Sequence, residues 1–150
     1  MITLLRRAAP LASLLLLGAA TTAYSQAHQT RSGPCSVRSS TADSRSIDAA
    51  IAAAHQFSTS ADVAIINVTV RCRGASGNGT VPAQIAVTRR DLAGTPEDVN
   101  MHLDRQNGYV SYYGTFPRIA GALVTLTVTA TPQGKSGPMT LTYRHRFAAR

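Results

Sequence analysis

Cysteine, lysine and aromatic rings are all scarce in this 150-residue sequence, and each shortage narrows its function. Two cysteines occur, Cys35 and Cys72, with no CxxC pair and no histidine adjoining either. That leaves no thiolate metal site and no base beside a thiol to activate it. Lys135 is the lone lysine, so the formal charge of +8 is carried by arginine. The arginines are scattered, and no run exceeds a pair such as Arg89-Arg90. A solvated basic surface explains that spread better than a nucleic-acid interface, and no nucleic-acid partner is expected. No GxSxG, HExxH or phosphate-binding loop is present. The sequence therefore assigns no catalytic residue, no metal and no cofactor, and it does not read as an enzyme. There is no internal repeat.

Beyond Ala20 no apolar run is long enough to cross a bilayer, so no membrane span is expected in the mature chain. The start of the chain has another purpose. Arg6 and Arg7 precede the short apolar run Ala8–Ala20, and Ser25-Gln26-Ala27 places small residues at a cleavage site. This is the pattern of a secretory signal peptide, residues 1–27, with an uncleaved anchor as the rival reading. The product is expected outside the cytoplasm, in the periplasm or at the cell surface. There the two cysteines are expected to be oxidised to a Cys35–Cys72 disulfide, worth ~3–4 kcal/mol in the chain-entropy model.

The strongest secondary-structure signal is Ser60–Gly74. Ala64, Ile66, Val68, Val70 and Cys72 alternate with Asn67, Thr69, Arg71 and Arg73, which is the period of a strand with one face in a core. The β-branched run fits a pleated surface. Upstream, residues 28–34 read as a flexible polar leader and Cys35–Arg38 as a short strand. Ser39–Ser46 reads as a polar loop. Ile47–His55 is open between a helical turn and a strand crossing between sheets, with Phe57 as its anchor. Downstream, Val81–Thr88 alternates, Arg89–Asp98 reads as an excursion, and Val99, Met101 and Leu103 mark a third strand. Asn107-Gly108 is the pair favoured in tight hairpins, returning through Tyr109–Tyr113. Leu123–Thr131 and Met139–Phe147 close the chain as two long alternating strands. About seven strands with turn signals between them predict an all-β, Ig-like sandwich over residues 35–150, with a small barrel second.

Candidate site residues are few. His28, His55, His102 and His145 are spread out, and His145 falls on the inward face of the last strand, where a satisfied core or edge histidine is a simpler account than a ligand. Asp98, His102 and Asp104 offer a metal or acid/base site, although a solvated outer face is the simpler account. Tyr109, Tyr112 and Tyr113 offer sugar-stacking rings, although packing across strands is simpler.

The order of these features, a cysteine-bearing strand, VTVRC, the Val99–Asp104 hairpin with Tyr112-Tyr113-Gly114, and the final pair LTVTAT and MTLTYRHRF, resembles the spore coat protein U family. Those proteins are the pilin subunits of archaic chaperone–usher pili. Cys35 and Cys72 match the family's disulfide cysteines. The resemblance implies an incomplete sandwich and assembly into a surface fibre by strand complementation, with a periplasmic chaperone and sibling subunits as partners. The alternative is a self-contained secreted β-sandwich module that binds a carbohydrate or a protein.

Overall fold

The computed structural model describes residues 26–135 and 137–149. The expected signal peptide lies outside them, apart from Gln26 and Ala27. In chain order the strands are β1 (Ala27–Ser32), β2 (Cys35–Asp43), β3 (Val63–Cys72), β4 (Ala83–Asp91), β5 (Glu97–Val99), β6 (Met101–Gln106), β7 (Tyr109–Pro117), β8 (Leu123–Pro132) and β9 (Met139–Arg146). They form two antiparallel sheets, ordered β1-β2-β3-β7-β6 and β5-β4-β8-β9. A six-residue helix, α1 (Ala49–Ala54), links β2 to β3 and is N-capped by Asp48, whose carboxylate accepts from Ala50 N. The all-β sandwich predicted from the alternation is the fold, with nine strands where about seven were expected.

The core is made by the faces the alternation marked. Ile66, Val68 and Val70 of β3 and Leu126, Val128 and Ala130 of β8 are fully buried. Val37, Val87, Tyr112 and Phe116 join them from the flanking strands. Each such aliphatic side chain contributes roughly 1.5–3 kcal/mol by leaving water. Cys35 and Cys72 are direct cross-strand partners of β2 and β3, with Cα atoms 4.0 Å apart, and their sulfurs are joined.

The two unexpected strands have physical causes. Residues 28–34, read as a leader, are β1 and its turn, with Gly33 at φ 57. The sandwich therefore takes in the stretch read as a leader. β2 does not stop at Arg38 but runs through the supposed loop to Asp43. Ser39 and Thr41 face the core there, and each shares a hydrogen bond with the Tyr143 hydroxyl, at 2.9 and 2.8 Å. A polar side chain can occupy an inward strand position when its bond is supplied inside.

The expected strand beginning at Val99 is two strands. Glu97–Val99 pairs with β4 in one sheet, and Met101–Gln106 pairs with β7 in the other. The chain changes sheets at Asn100 and closes that side of the sandwich. Gly114 makes the crossing possible. A Cβ there would lie 2.6 Å from Met101 Sδ and 2.9 Å from the Asn100 carbonyl oxygen. The Asn107-Gly108 turn forms as expected, with φ of 50° and 78°.

Candidate functional site

The opposite side of the sandwich has no such crossing. β1 and β9 are the outer strands of their sheets and are not hydrogen-bonded to one another. At one end of that side, where the start of β1 meets the end of β9, lies a cleft of about 1340 Å³, lined by His28, Asp43, Arg118, Arg144, His145 and Phe147 among others.

Each lining group is placed by strand register. His28 is opposite Ser39 across the β1–β2 ladder and so shares its inward face. Its imidazole lies flat on the Tyr143 ring, with centroids 4.0 Å apart and planes at 14°. Tyr143 in turn holds Ser39 and Thr41, so β1, β2 and β9 meet on one side chain. Burial raises the Tyr143 phenol above its ordinary value, against the opposing pull of its bonds to Ser39 and Thr41. His145 follows two residues along the same face of β9 and meets Phe147 edge-on at 4.7 Å. Burial lowers its pKa, and the nearby His28 lowers it further. Both effects favour the neutral imidazole.

Arg118 closes the end of the cleft. It is buried, donates from Nη1 to the Ala61 carbonyl and from Nη2 to the Ala148 carbonyl, and lies 5.6 Å over the Phe147 ring. Its Nε faces Asp43 Oδ2 at 3.3 Å, an ion pair without hydrogen-bond alignment. The hydrogen bond from Arg45 holds the Asp43 carboxyl below its usual range, outweighing a small desolvation cost. Arg146 donates to the Gly121 carbonyl. These arginines are engaged in tying chain segments together.

The residues singled out as Asp98, His102 and Asp104 are not brought together. Asp98 is on β5 in the other sheet, because of the change of sheet at Asn100. Asp104 pairs instead with His55 Nε2 at 3.0 Å. His55, Phe57, His102 and Tyr113 form a ring cluster that lays the end of the α1 segment on the outer face of the larger sheet. Among the described residues no three His, Cys, Asp or Glu side chains are grouped to hold a metal. The three tyrosines have packing roles. Tyr112 Oη bonds both the backbone N and O of Ala83, Tyr109 lies beneath Arg71, and Tyr113 belongs to the ring cluster. No helix among the described residues is long and apolar enough to cross a membrane.

Sequence reasoning placed His145 inward by alternation. It named His28 without an inward direction and missed Ser39, Thr41 and Arg118, whose partners are remote in the chain. The only local trace was the alternation of His28 with Thr30, which is faint in a polar stretch.

The model of a domain of unknown function, DUF4426, matches residues 29–149. The chain belongs to the DUF4426 family. A solved DUF4426 family protein from Pseudomonas aeruginosa superimposes with a TM-score of 0.72 at 18% identity, covering 83% of this chain and 96% of that one. FetP of uropathogenic Escherichia coli has a TM-score of 0.58 at 9% identity, covering 85% and 98%. A copper-bound variant of FetP gives 0.57 at 9%, covering 83% and 99%. At these identities the likeness to the solved structures shows the fold alone. No curated protein matches it. The resemblance to the spore coat protein U family is thereby overturned. It rested on strand order and on a matching cysteine pair, and neither is specific to that family.

Proposed function

We propose that this DUF4426 chain is an exported, non-enzymatic binding module, self-contained in one sandwich, whose ligand enters the cleft between β1 and β9. The observation that carries the reading is the contrast between the two sides of the sandwich. One is sealed by backbone at Asn100 and Gly114. The other is bridged by side chains and lined by titratable and aromatic groups around a cleft of about 1340 Å³. Such a concave, partly aromatic site with a few converging polar groups suits ligand binding. Export is supported by the leader pattern of residues 1–27, and the Cys35–Cys72 bond fits an oxidising compartment. The copper in the FetP variant is a property of that protein, and at 9% identity it brings no ligand site to this one.

The test is an amide chemical-shift titration of the isotope-labelled mature chain. Acidic oligosaccharides, neutral oligosaccharides, an acidic peptide and copper(II) serve as probes. Shifts clustered on His28, Leu123, His145 and Phe147 with one probe class support the reading. Shifts confined to the outer face around His55 and Tyr113, or none with any probe, refute it.

A further inference from the structure

The two imidazoles of the cleft come from the two free edge strands. His28 stands on β1 and His145 on β9, both half-buried and both facing inward. Their surroundings leave them available. Arg118, Arg45 and Arg146 are held by Asp43 and by backbone carbonyls, whereas His28 stacks on Tyr143 and His145 meets Phe147 edge-on. The stack on Tyr143 fixes the plane of the His28 ring. His145 lies two residues beyond Tyr143 on the same face of β9, in the cleft that also holds His28, and an imidazole nitrogen is a common metal ligand.

The sequence adds a third donor to this pair. Cleavage after Ser25-Gln26-Ala27 makes His28 the first residue of the mature chain. A first-position histidine carries an α-amine and an imidazole Nδ1 on one residue, so a single ion can close a chelate ring with both. We propose that the exported chain holds one divalent ion of the copper class between the His28 amine, the His28 imidazole and an imidazole nitrogen of His145. An all-nitrogen donor set with imidazoles suits copper(II) and nickel(II) above other first-row ions, with copper the tighter. One of the three donors is a backbone amine created by processing, so the site needs only two side chains. The positive neighbours do not forbid it. Arg144 lines the cleft as an exposed side chain of β9, where salt screens it, Arg118 faces Asp43, Arg45 is paired with Asp43, and Arg146 donates to the Gly121 carbonyl.

This site rests on the export reading, so the test separates the two. Intact-mass measurement on chain recovered from the periplasm comes first and is expected to place the N-terminus at His28. Copper(II) is then titrated calorimetrically, with electron paramagnetic resonance on the loaded protein. One ion per chain with nitrogen hyperfine coupling is expected. His145→Gln, and separately a chain begun at Tyr24, should each weaken binding at least as much as the roughly 100-fold that disturbing a ligand's hydrogen-bond partner costs. The longer chain leaves every side chain of the fold unchanged, so its metal-free melting point should match the parent. A chain that begins at His28 but binds no copper overturns the site and leaves the export reading standing. Equal binding by either altered chain also overturns it. A mature N-terminus elsewhere overturns the cleavage point and the site together.

Discussion

Tyr143→Phe removes one oxygen atom from the junction of three strands. The ring, its stack on His28 and its place in the core are kept. What is lost is a hydroxyl bonded to Ser39 at 2.9 Å and to Thr41 at 2.8 Å, where Tyr143 is 6%, Ser39 1% and Thr41 1% exposed. Two such bonds contribute about 1–3 kcal/mol net, and a stranded buried hydroxyl adds desolvation cost, so a loss of about 2–3 kcal/mol is expected. For a domain of this size that lowers Tm by roughly 6–12 °C. The sequence has no tryptophan, so the melt is followed by circular dichroism. Ser39→Ala combined with Tyr143→Phe should fall short of the sum of the two single losses by about 1 kcal/mol, because neither partner is then stranded. The phenol gives a second readout. Its pKa in the folded chain is raised above 10.0 by burial. Below that pH both states keep the proton and nothing changes. As pH rises through it the unfolded chain ionises first, binds fewer protons, and gains stability relative to the folded one. The parent, free of metal, should therefore lose stability above pH 10 more steeply than Tyr143→Phe. A variant melting within about 2 °C of the parent, less than 1 kcal/mol for a domain of this size, would refute the hub.

Three further outcomes test the frame around the site. Gly114→Ala should destabilise the chain by about 1–3 kcal/mol through overpacking against Met101 and the Asn100 backbone, read as a lower urea midpoint. Reducing the Cys35–Cys72 bond, which closes a separation of 37 residues, should cost about 4 kcal/mol in urea melts with and without reductant. Asp104→Asn should release His55, raising hydrogen exchange over α1 while changing global stability by only about 1 kcal/mol, since the pair ties down a local segment. Unchanged exchange there would mean that the ring cluster alone holds it.

Much of the fold was legible because β3, β8 and β9 each carry an unbroken period of two, and Asn107-Gly108 names its own turn. The misses share a cause. Ser39 and Thr41 look like loop residues until Tyr143, about a hundred positions away, supplies their bonds. Val99, Met101 and Leu103 keep one alternation across a change of sheet, so the switch at Asn100 leaves no mark in the pattern; Leu103 ends up 47% exposed. The family resemblance failed for a related reason. Strand order and one cross-strand disulfide describe a class of sandwiches, not a lineage. Of the cleft, His145 could be placed by counting from Met139. His28 could not, because its inward direction is set by pairing with Ser39 in a strand that was itself half hidden.

The asymmetry of the sandwich has a consequence for how binding and stability are coupled. The Asn100 side is fixed by backbone and cannot open without unpairing strands. The His28 side is held by Tyr143 and Arg118, which use different atoms from those offered to a ligand. Tyr143 uses its hydroxyl to hold β2 and its ring face to hold His28. Tyr143→Phe removes the first function and keeps the second. It should therefore lower stability while leaving copper(II) affinity within about threefold, under 1 kcal/mol. Tyr143→Leu keeps an apolar side chain but loses the flat surface, and should weaken copper(II) binding as well. If the two substitutions reduce affinity equally, the ring stack does not orient His28, and the ordering of the site must come from the β1–β2 ladder instead.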